Sequence, residues 1–177
     1  MFNESVRAQK IKSLWLARIP QTISERLPSR GMVMITGYLN EVAFTAPLEP
    51  DGKKGHFLPL DGTLAEQLKL REGDSLTLEF EPTDAWPEPE LPEDIRAALA
   101  DEGLDPAWET LTVKARWEWL RWIRATKSEK TRAKRIGVAV SKLKQGDQRP
   151  CCFNSASCTI PELAKGGVLQ ESEADPE

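Results

Sequence analysis

Residues 115–136 read ARWEWLRWIRATKSEKTRAKRI, a stretch in which three tryptophans precede a dense run of basic side chains. Apolar residues recur along it at helical spacing, and Ser128 occupies a position from which its hydroxyl can cap a new helix. We therefore predict one helix that ends near Thr126 and a second that starts after Ser128 and is ended by Gly146.

A helical wheel divides the first of these helices into two faces, since successive residues are about 100° apart. The face that we assign to a hydrophobic core carries Ala115, Trp119, Trp122 and Ile123. Trp117 lies on the opposite side, one turn from Arg121 and two turns from Arg124. Three interpretations of Trp117 stay open: stacking on a nucleic-acid base, cation–π contact with its own arginines, or a lid over a domain interface.

The second helix carries an arginine on its apolar face. That face consists of Ile136, Ala139, Val140 and Leu143. Arg132 lies on the same face, and a buried charge without a counter-charge is very costly. We therefore predict that Arg132 is a structural anchor that pairs with an acidic group from another element. Arg135 and Lys142 lie to one side of the helix, where they are better placed to contact an external partner.

Short strand-forming runs alternate with turns in the first 82 residues. In SLTLEFEP, Leu76, Leu78 and Phe80 alternate with polar residues, as in a strand that buries one face. Similar runs occur in MVMITGYL, VAFTAPLEP and HFLPL. Strands of this length with interleaved turns indicate a small β-barrel.

Further short helices are predicted in both halves of the chain. Within the barrel region, Thr22 and Thr63 each precede a glutamate at the spacing of a capping box. Beyond it, the run EDIRAALADEG predicts a helix that is stopped by Gly103. Asp105 then serves as the predicted N-cap of another helix, with Pro106 at its first position.

The segment PTDAWPEPELP marks the main boundary in the chain. Its prolines exclude a helix and favour an extended path, so we interpret it as a spacer. The predicted organisation is a barrel domain (1–82), an acidic Pro-rich linker (83–92), a helical domain (93–150) and a cysteine-containing tail (151–177). The tail is polar and acidic after Gly166, where we expect it to be frayed.

The composition is that of a globular protein. Hydrophobic residues make up 40% of the 177 residues and charged residues 29%. No run approaches the roughly 18 apolar residues needed to span a bilayer. The first residues, MFNESVRAQKIK, lack the apolar region of a signal peptide. We expect a cytoplasmic protein that does not insert into membranes.

The charges are distributed unevenly along the chain. Residues 112–149 carry twelve basic and three acidic side chains, a net charge of +9, whereas the whole chain has a net charge of −4. The remainder of the chain therefore carries a net charge of −13. This division predicts either a polyanionic partner or charge pairing inside the protein, and it does not choose between them.

The sequence offers little for catalysis or metal binding. Cys151, Cys152 and Cys158 lack the paired CxxC spacing of structural zinc sites, so we predict no metal site, no cofactor and reduced thiols. His56 is the single histidine, and we expect it in a loop or at a sheet edge. No phosphate-binding loop occurs either. The question of an enzyme stays open, with a non-enzyme favoured.

Several short motifs together resemble a known family. The pattern Trp122-Ile123, Lys127, Thr131-Arg132 and Arg135-Ile136, preceded by LPEDIRAAL, is similar to the helical domain of the YdeI/OmpD-associated family, also called the bacteriocin-protection family. The sequence departs from the usual pattern at Thr126, where alanine is common, and at Lys130, where glutamate is common. The N-terminal motifs GYLN, HFLPL and EGDSLTLEFEP resemble a small barrel domain of unknown function that often precedes that helical domain.

This resemblance implies an α+β protein. Its N-terminal part would be an AbrB-like, double-split-type β-barrel with short helices, followed by the acidic Pro-rich linker and a C-terminal helical bundle. Some proteins with such barrels bind DNA as dimers, but the barrel half here is acidic, which speaks against DNA contact through that half. The resemblance brings no reaction and no catalytic residues.

Two functional hypotheses follow. The first is a non-catalytic binding protein, resembling bacteriocin-protection proteins, that holds a small molecule or a protein partner between the barrel and the bundle. The second is a regulator that binds nucleic acid through the basic helical face. The residues expected to contact a ligand or nucleic acid are Trp117, Arg121, Arg124, Lys127, Arg135 and Lys142. We favour the first hypothesis because the net charge is negative and the basic segment also forms a core.

Overall fold

The computed structural model describes residues 1–150 and 153–171. Within these ranges the chain divides into two compact units, one centred on residues 1–85 and the other on residues 86–154. The first unit contains a closed barrel, and the second contains the longer helices. The predicted α+β class and the N-terminal barrel are therefore confirmed.

Six antiparallel strands form the barrel. They are β1 (Phe2–Ile11), β2 (Leu14–Arg18), β3 (Val33–Leu39), β4 (Val42–Pro50), β5 (His56–Leu60) and β6 (Ser75–Pro82). Their order around the barrel is β1-β2-β5-β4-β3-β6, and β6 pairs with β1 to close it. Closure leaves no sheet edge with unsatisfied backbone groups.

The barrel is filled by side chains from alternating strand positions. In β6 the inward residues are Leu76, Leu78 and Phe80, all of which are buried, as the alternation in the sequence predicts. Gly37 of β3 crosses close to the backbone of β6, and a β-carbon at this position would collide with the carbonyl of Glu79. This contact explains why a glycine stands inside an otherwise regular strand.

The two short helices of the barrel unit are capped differently from the prediction. In α2 (Gly62–Leu68) the carboxylate of Asp61 accepts a 2.7 Å hydrogen bond from the backbone N–H of Leu64, so Asp61, and not Thr63, is the N-cap. In α1 (Gln21–Ser24) the N-cap is Pro20, which has no side-chain acceptor. The capping roles predicted for Thr22 and Thr63 are therefore wrong, because each helix begins earlier in the chain.

The described residues of the second unit form four helices. They are α3 (Glu93–Asp101), α4 (Asp105–Thr110), α5 (Val113–Arg124) and α6 (Glu129–Lys144). The hydroxyl of Ser128 accepts a hydrogen bond from the N–H of Thr131 at the start of α6, as predicted. Gly103 and Gly146 follow α3 and α6 with positive φ angles of 65° and 87°, as expected after a helix end. Leu104, and not Asp105, is the N-cap of α4.

Residues near the C-terminus pack onto the barrel unit. A small hairpin of β7 (Ala164–Lys165) and β8 (Val168–Leu169) places the N–H of Leu169 within 2.9 Å of the carbonyl of Asp51. Leu163 and Leu169 are buried, so the chain is ordered by apolar packing for several residues beyond Gly166, where fraying was expected. Cys158 is also buried, whereas Cys151 and Cys152 lie outside the described residues.

His56 is a core residue of the barrel unit and not a loop or edge residue. Its side chain is 1% exposed, its Nε2–H donates to the carbonyl of Gly31 (2.8 Å), and its Nδ1 accepts from the hydroxyl of Ser24 (2.5 Å). Burial lowers the pKa of His56 below its ordinary value because the charged imidazolium would lose hydration. The neutral ring satisfies both hydrogen bonds.

We predict that the barrel loses stability as the pH falls below about 6.5, the ordinary pKa of histidine. The unfolded chain takes up a proton there that folded His56 resists, so stability is present above that pKa and declines by up to about 1.4 kcal/mol per pH unit until the folded pKa is reached. Urea unfolding at pH 7.5 and pH 5.5 measures this. The sequence has one histidine, so His56→Gln should flatten the dependence. An equal pH dependence in both proteins would contradict the assignment.

Candidate functional site

The inner face of α5 forms the core of the helical unit. Ala115, Trp119 and Ile123 are each buried, with 2% exposure or less. The indole N–H of Trp119 donates to the carbonyl of Gln148 at 3.0 Å, and its ring meets that of Trp122 edge-on. The core-facing stripe predicted by the helical wheel is therefore confirmed.

Trp117, on the other face of α5, is attached to the Pro-rich segment. Its indole N–H donates to the carbonyl of Pro87 at 2.8 Å, and its ring contacts that of Trp86 edge-on with 6.5 Å between centroids. The ammonium of Lys114 lies 5.5 Å from the Trp86 ring, within the range of a cation–π interaction. Trp117 is thus half-buried and engaged within its own unit.

Charge pairing reinforces this attachment. One terminal nitrogen of Arg116 forms an ion pair with Glu88, and the other donates to the carbonyl of Glu109 at 2.6 Å. Pro89 is buried. The segment from Trp86 to Pro89 is therefore bound along α5, which differs from the expectation that it is only a spacer.

A small, partly open cavity lies beside this segment, and the described residues that line it belong to the helical unit. Its volume is about 220 Å³. The residues that line it are Pro89, Glu90, Pro92, Ile95, Trp117, Leu120, Arg121, Arg124 and Arg132. Apolar walls that carry three guanidinium groups are the combination expected of a ligand pocket with a few orienting polar groups. We call this cavity the arginine pocket.

Arg132 is held by a bidentate ion pair in the arginine pocket. Its Nε and Nη2 donate to the two carboxylate oxygens of Asp94 in α3, at 2.7 and 3.0 Å. These hydrogen bonds lower the pKa of Asp94 and raise that of Arg132. The Arg132 side chain is 28% exposed, so it lies at the rim of the core and not inside it.

Arg121 is the most deeply buried guanidinium of the pocket. Its side chain is 1% exposed and lies 5.4 Å from the ring centroid of Phe153. The helical wheel placed Arg121 on the outward side of α5 together with Trp117, but Phe153 packs over it from far along the chain. Burial of this residue therefore depends on a tertiary contact that the periodicity of α5 does not contain.

Arg124 lies one turn further along α5 and is half-buried. Its Nε and Nη2 both donate to the hydroxyl of Thr159, at 3.2 and 2.9 Å. Thr159 is itself 2% exposed. A buried hydroxyl thus fixes the orientation of a guanidinium that lines the arginine pocket.

The remaining candidate residues lie outside the lining of the arginine pocket. Arg135 donates to the carbonyls of Trp122 (2.8 Å) and Ala125 (3.1 Å), where it satisfies backbone acceptors at the end of α5. Lys127 is exposed in the turn before α6, and Lys142 lies 3.9 Å from Asp147.

Sequence reasoning missed several lining residues of the arginine pocket. They are Pro89, Glu90, Pro92, Ile95 and Leu120. Proline, leucine and isoleucine at these positions are also typical of a linker and a core, so the sequence contains no separate signal for a pocket. The structure brings four of the predicted arginine and tryptophan positions together and leaves the others apart.

The described part of the barrel unit also contains open hollows of a different character. One, of about 760 Å³, is lined by Tyr38, Asn40, Glu41, Thr77 and Glu79. The other, of about 430 Å³, shares Tyr38 and includes Glu81. Their charged side chains are acidic, as expected from the composition of this half. Among their described lining residues there is no guanidinium group, in contrast to the arginine pocket.

In residues 1–150 and 153–171 no three histidine, cysteine or acidic side chains are grouped so that they could hold a metal ion. Ser24 and His56 form a hydrogen-bonded pair, but both are buried at 1% exposure or less. Across the same ranges, no helix has the length and apolar character required to cross a bilayer.

Two segments of the chain match models of known families. Residues 4–80 match a domain of unknown function (DUF1905), and residues 88–146 match the family described as "Bacteriocin-protection, YdeI or OmpD-Associated". Residues 88–146 are thus similar to the YdeI/OmpD-associated family, and the residues before them are similar to the DUF1905 domain. These two matches confirm the resemblance seen in the motifs. A search of curated proteins found no match.

The described lining residues of the arginine pocket run from Pro89 to Arg132 and so fall within the segment that matches the bacteriocin-protection family.

We predict that Arg132→Ala lowers the free energy of unfolding of the helical unit by about 1 kcal/mol, a value suited to a bidentate pair that is partly exposed to solvent. Urea unfolding followed by tryptophan fluorescence measures this loss. Arg96→Ala is the matched control, because Arg96 is an exposed arginine paired with Glu93 within α3. Equal stabilities of the wild type and Arg132→Ala would argue against the anchoring role.

Proposed function

We propose that the protein is a non-catalytic binding protein of the bacteriocin-protection type, and that it holds an anionic ligand in the arginine pocket. The observation that carries this proposal is the convergence of Arg121, Arg124 and Arg132 on one cavity of about 220 Å³. Guanidinium groups bind carboxylates and phosphates through paired N–H donors, which favours an anion as the ligand.

The contacts around the pocket support binding because they fix its charged groups before any ligand arrives. Thr159 orients Arg124, and Asp94 orients Arg132. Trp117 is fixed by Pro87. A preorganised site loses less conformational entropy when a ligand binds. The sequence-based hypothesis placed the ligand between the barrel and the bundle, whereas the present proposal places it in a pocket of the helical unit.

A binding role without catalysis is supported by the position of the only described serine–histidine pair. Ser24 and His56 have the geometry of a nucleophile and a base, but their burial in the barrel core keeps substrate away. The family description links the helical segment to protection from bacteriocins. Binding of an anionic group is the step that we assign to the arginine pocket in that process.

The competing hypothesis, a nucleic-acid-binding regulator, receives less support from these contacts. Stacking on a base needs an open aromatic face, whereas Trp117 is engaged by Trp86 and Pro87. Arg135 is committed to backbone carbonyls at the end of α5. Exposed lysines such as Lys127 are suited to general phosphate contact.

A salt series distinguishes the two hypotheses. A polyanion binder should shift mixed DNA and RNA in a gel at low salt and lose affinity steeply as salt rises, because neutralised phosphates release counterions. We expect no shift at micromolar protein. A salt-sensitive shift that Lys127→Gln or Lys142→Gln weakens would favour nucleic-acid binding over the proposal.

The anion-binding proposal predicts that small anions stabilise the protein through Arg124. Phosphate, acetate, malonate and phenylacetate are each added at millimolar concentration at constant ionic strength, and the midpoint of thermal unfolding is followed. At least one should raise the midpoint of the wild type, and Arg124→Gln should lose most of that rise. Arg96→Gln, which removes an exposed arginine of α3, should behave as the wild type. If no anion acts, or if Arg124→Gln responds fully, the proposal is wrong.

A further inference from the structure

We infer that the segment Trp86–Glu90 is a lid of the arginine pocket, and that contacts which latch this lid to α5 control access to the pocket. This inference rests on the proposed function, since it states how an anion reaches the site. We call residues 86–90 the lid, and we call their contacts with Lys114, Arg116 and Trp117 the latch. The lid and the latch lie in the same compact unit as the described lining of the pocket.

The lid forms one side of the arginine pocket. Pro89 and Glu90 line the cavity from this side, and Pro92 lines it at the point where the chain enters α3. The other described lining residues belong to α3, α5 and α6. Movement of the lid away from α5 would therefore widen the pocket and leave the packing of these three helices in place.

Backbone interactions do not fix the lid in position. In the part of the chain that the structure describes, no backbone-to-backbone hydrogen bond joins residues 86–90 to another element. Pro87 and Pro89 have no N–H to donate, and their rings restrict the backbone so that the segment is stiff. Segments without backbone hydrogen bonds open at a low cost in free energy. The lid can therefore leave α5 without the unfolding of a helix or a strand.

The latch consists of side-chain contacts at the start of the lid. The indole N–H of Trp117 donates to the carbonyl of Pro87 at 2.8 Å, and the Trp117 ring meets that of Trp86 edge-on. Glu88 forms an ion pair with Arg116, but the Glu88 side chain is 55% exposed, and ion pairs in contact with water are weak. Such contacts favour the closed position by a small free energy, so the open position is populated to a minor extent.

Opening of the latch leaves no buried charge without a partner. The side chain of Arg116 is only 14% exposed, so the loss of all its partners would be costly. However, its Nε donates to the carbonyl of Trp108 at 3.1 Å, and its Nη2 donates to that of Glu109 at 2.6 Å. These two hydrogen bonds join α4 to α5 and do not involve the lid. Arg116 therefore stays in place and hydrogen-bonded when Glu88 moves away.

Apolar packing returns the lid to α5 and links its closure to the contents of the pocket. Pro89 is buried, and Leu91, which follows the lid, packs against the core of the helical unit. Trp117 belongs both to the latch and to the lining of the pocket. A ligand that contacts Pro89 or Glu90 gains those contacts only when the lid is closed. Binding and closure therefore favour each other.

Chemical modification of arginines tests the lid on the full chain without any anion. Phenylglyoxal, an uncharged dicarbonyl reagent, reacts with guanidinium groups, and mass spectrometry of peptides gives the rate at each arginine. Arg124 and Arg132, which line the pocket, are the pocket reporters. The exposed Arg96 of α3 is the reference. Arg135, whose guanidinium is bound to backbone carbonyls of α5 and its C-cap, reports unfolding of the helical unit.

Two variants weaken the latch at residues that are not among the described lining residues of the pocket. Glu88→Gln removes the ion pair with Arg116, and the double variant Glu88→Gln/Lys114→Gln also removes the cation–π contact with Trp86. We expect at least one pocket reporter to be modified about threefold faster, relative to the reference, in the single variant. In the double variant we expect about tenfold, the range that one and two weak charge contacts produce.

Glu102→Gln is the matched control, because Glu102 forms an ion pair of similar exposure with Lys144. It should leave the rates as in the wild type. Unchanged rates of both pocket reporters in the latch variants would overturn the inference, and so would an equal acceleration in Glu102→Gln. An equal acceleration at Arg135 would also overturn it, because the whole unit would then be unfolding. If the double variant fails to fold, Glu88→Gln alone decides the outcome.

Failure of the inference is distinguishable from failure of the proposed function. The modification rates involve no anion, and the thermal midpoints with phosphate, acetate, malonate and phenylacetate involve no latch variant. If the rates respond and no anion stabilises the protein, the lid stands and the anion-binding function falls. If an anion stabilises the protein through Arg124 and the rates do not respond, the function stands and the lid is overturned.

Discussion

The attachment of the acidic Pro-rich segment to α5 is the interaction on which the rest of the helical unit depends. The hydrogen bond from Trp117 to Pro87 and the ion pair of Arg116 with Glu88 convert an extended segment into one wall of the unit. Proline fixes the backbone of this segment in advance, so little conformational entropy is lost when it binds. Without this attachment the arginine pocket would lack Pro89, Glu90 and Pro92 on one side.

Ion pairs within the helical unit also explain how a segment with a net charge of +9 is accommodated in a chain whose net charge is −4. Glu88 pairs with Arg116, Asp94 with Arg132, and Glu102 with Lys144, so acidic residues that precede the basic segment neutralise part of it within one unit. Each exposed pair contributes little by itself. Together they reduce the repulsion among the basic residues of α5 and α6. Charge asymmetry in a sequence is therefore weak evidence for a polyanionic partner.

The sequence predicts those features that follow from local periodicity. The alternation of Leu76, Leu78 and Phe80 identifies a barrel strand, and the helical spacing of Trp119 and Ile123 identifies a core face. Prediction from the sequence fails where the burial of a side chain depends on residues that are distant in the chain, as for Arg121 beneath Phe153. The pocket itself could not be predicted, because prolines in a linker and leucines in a helix have the same appearance whether they line a cavity or fill a core.

The use of arginine at the pocket follows from the geometry of its side chain. A guanidinium has five N–H donors in a plane, so it can satisfy a structural partner with one edge while another edge faces a cavity. Arg132 and Arg124 both donate their Nε and one terminal nitrogen to a partner, Asp94 and Thr159 respectively. A lysine would present a single charged point and could not hold a fixed orientation in this manner. Arg124 and Arg132 thus both line the pocket and hold together parts of the helical unit that are distant in the sequence.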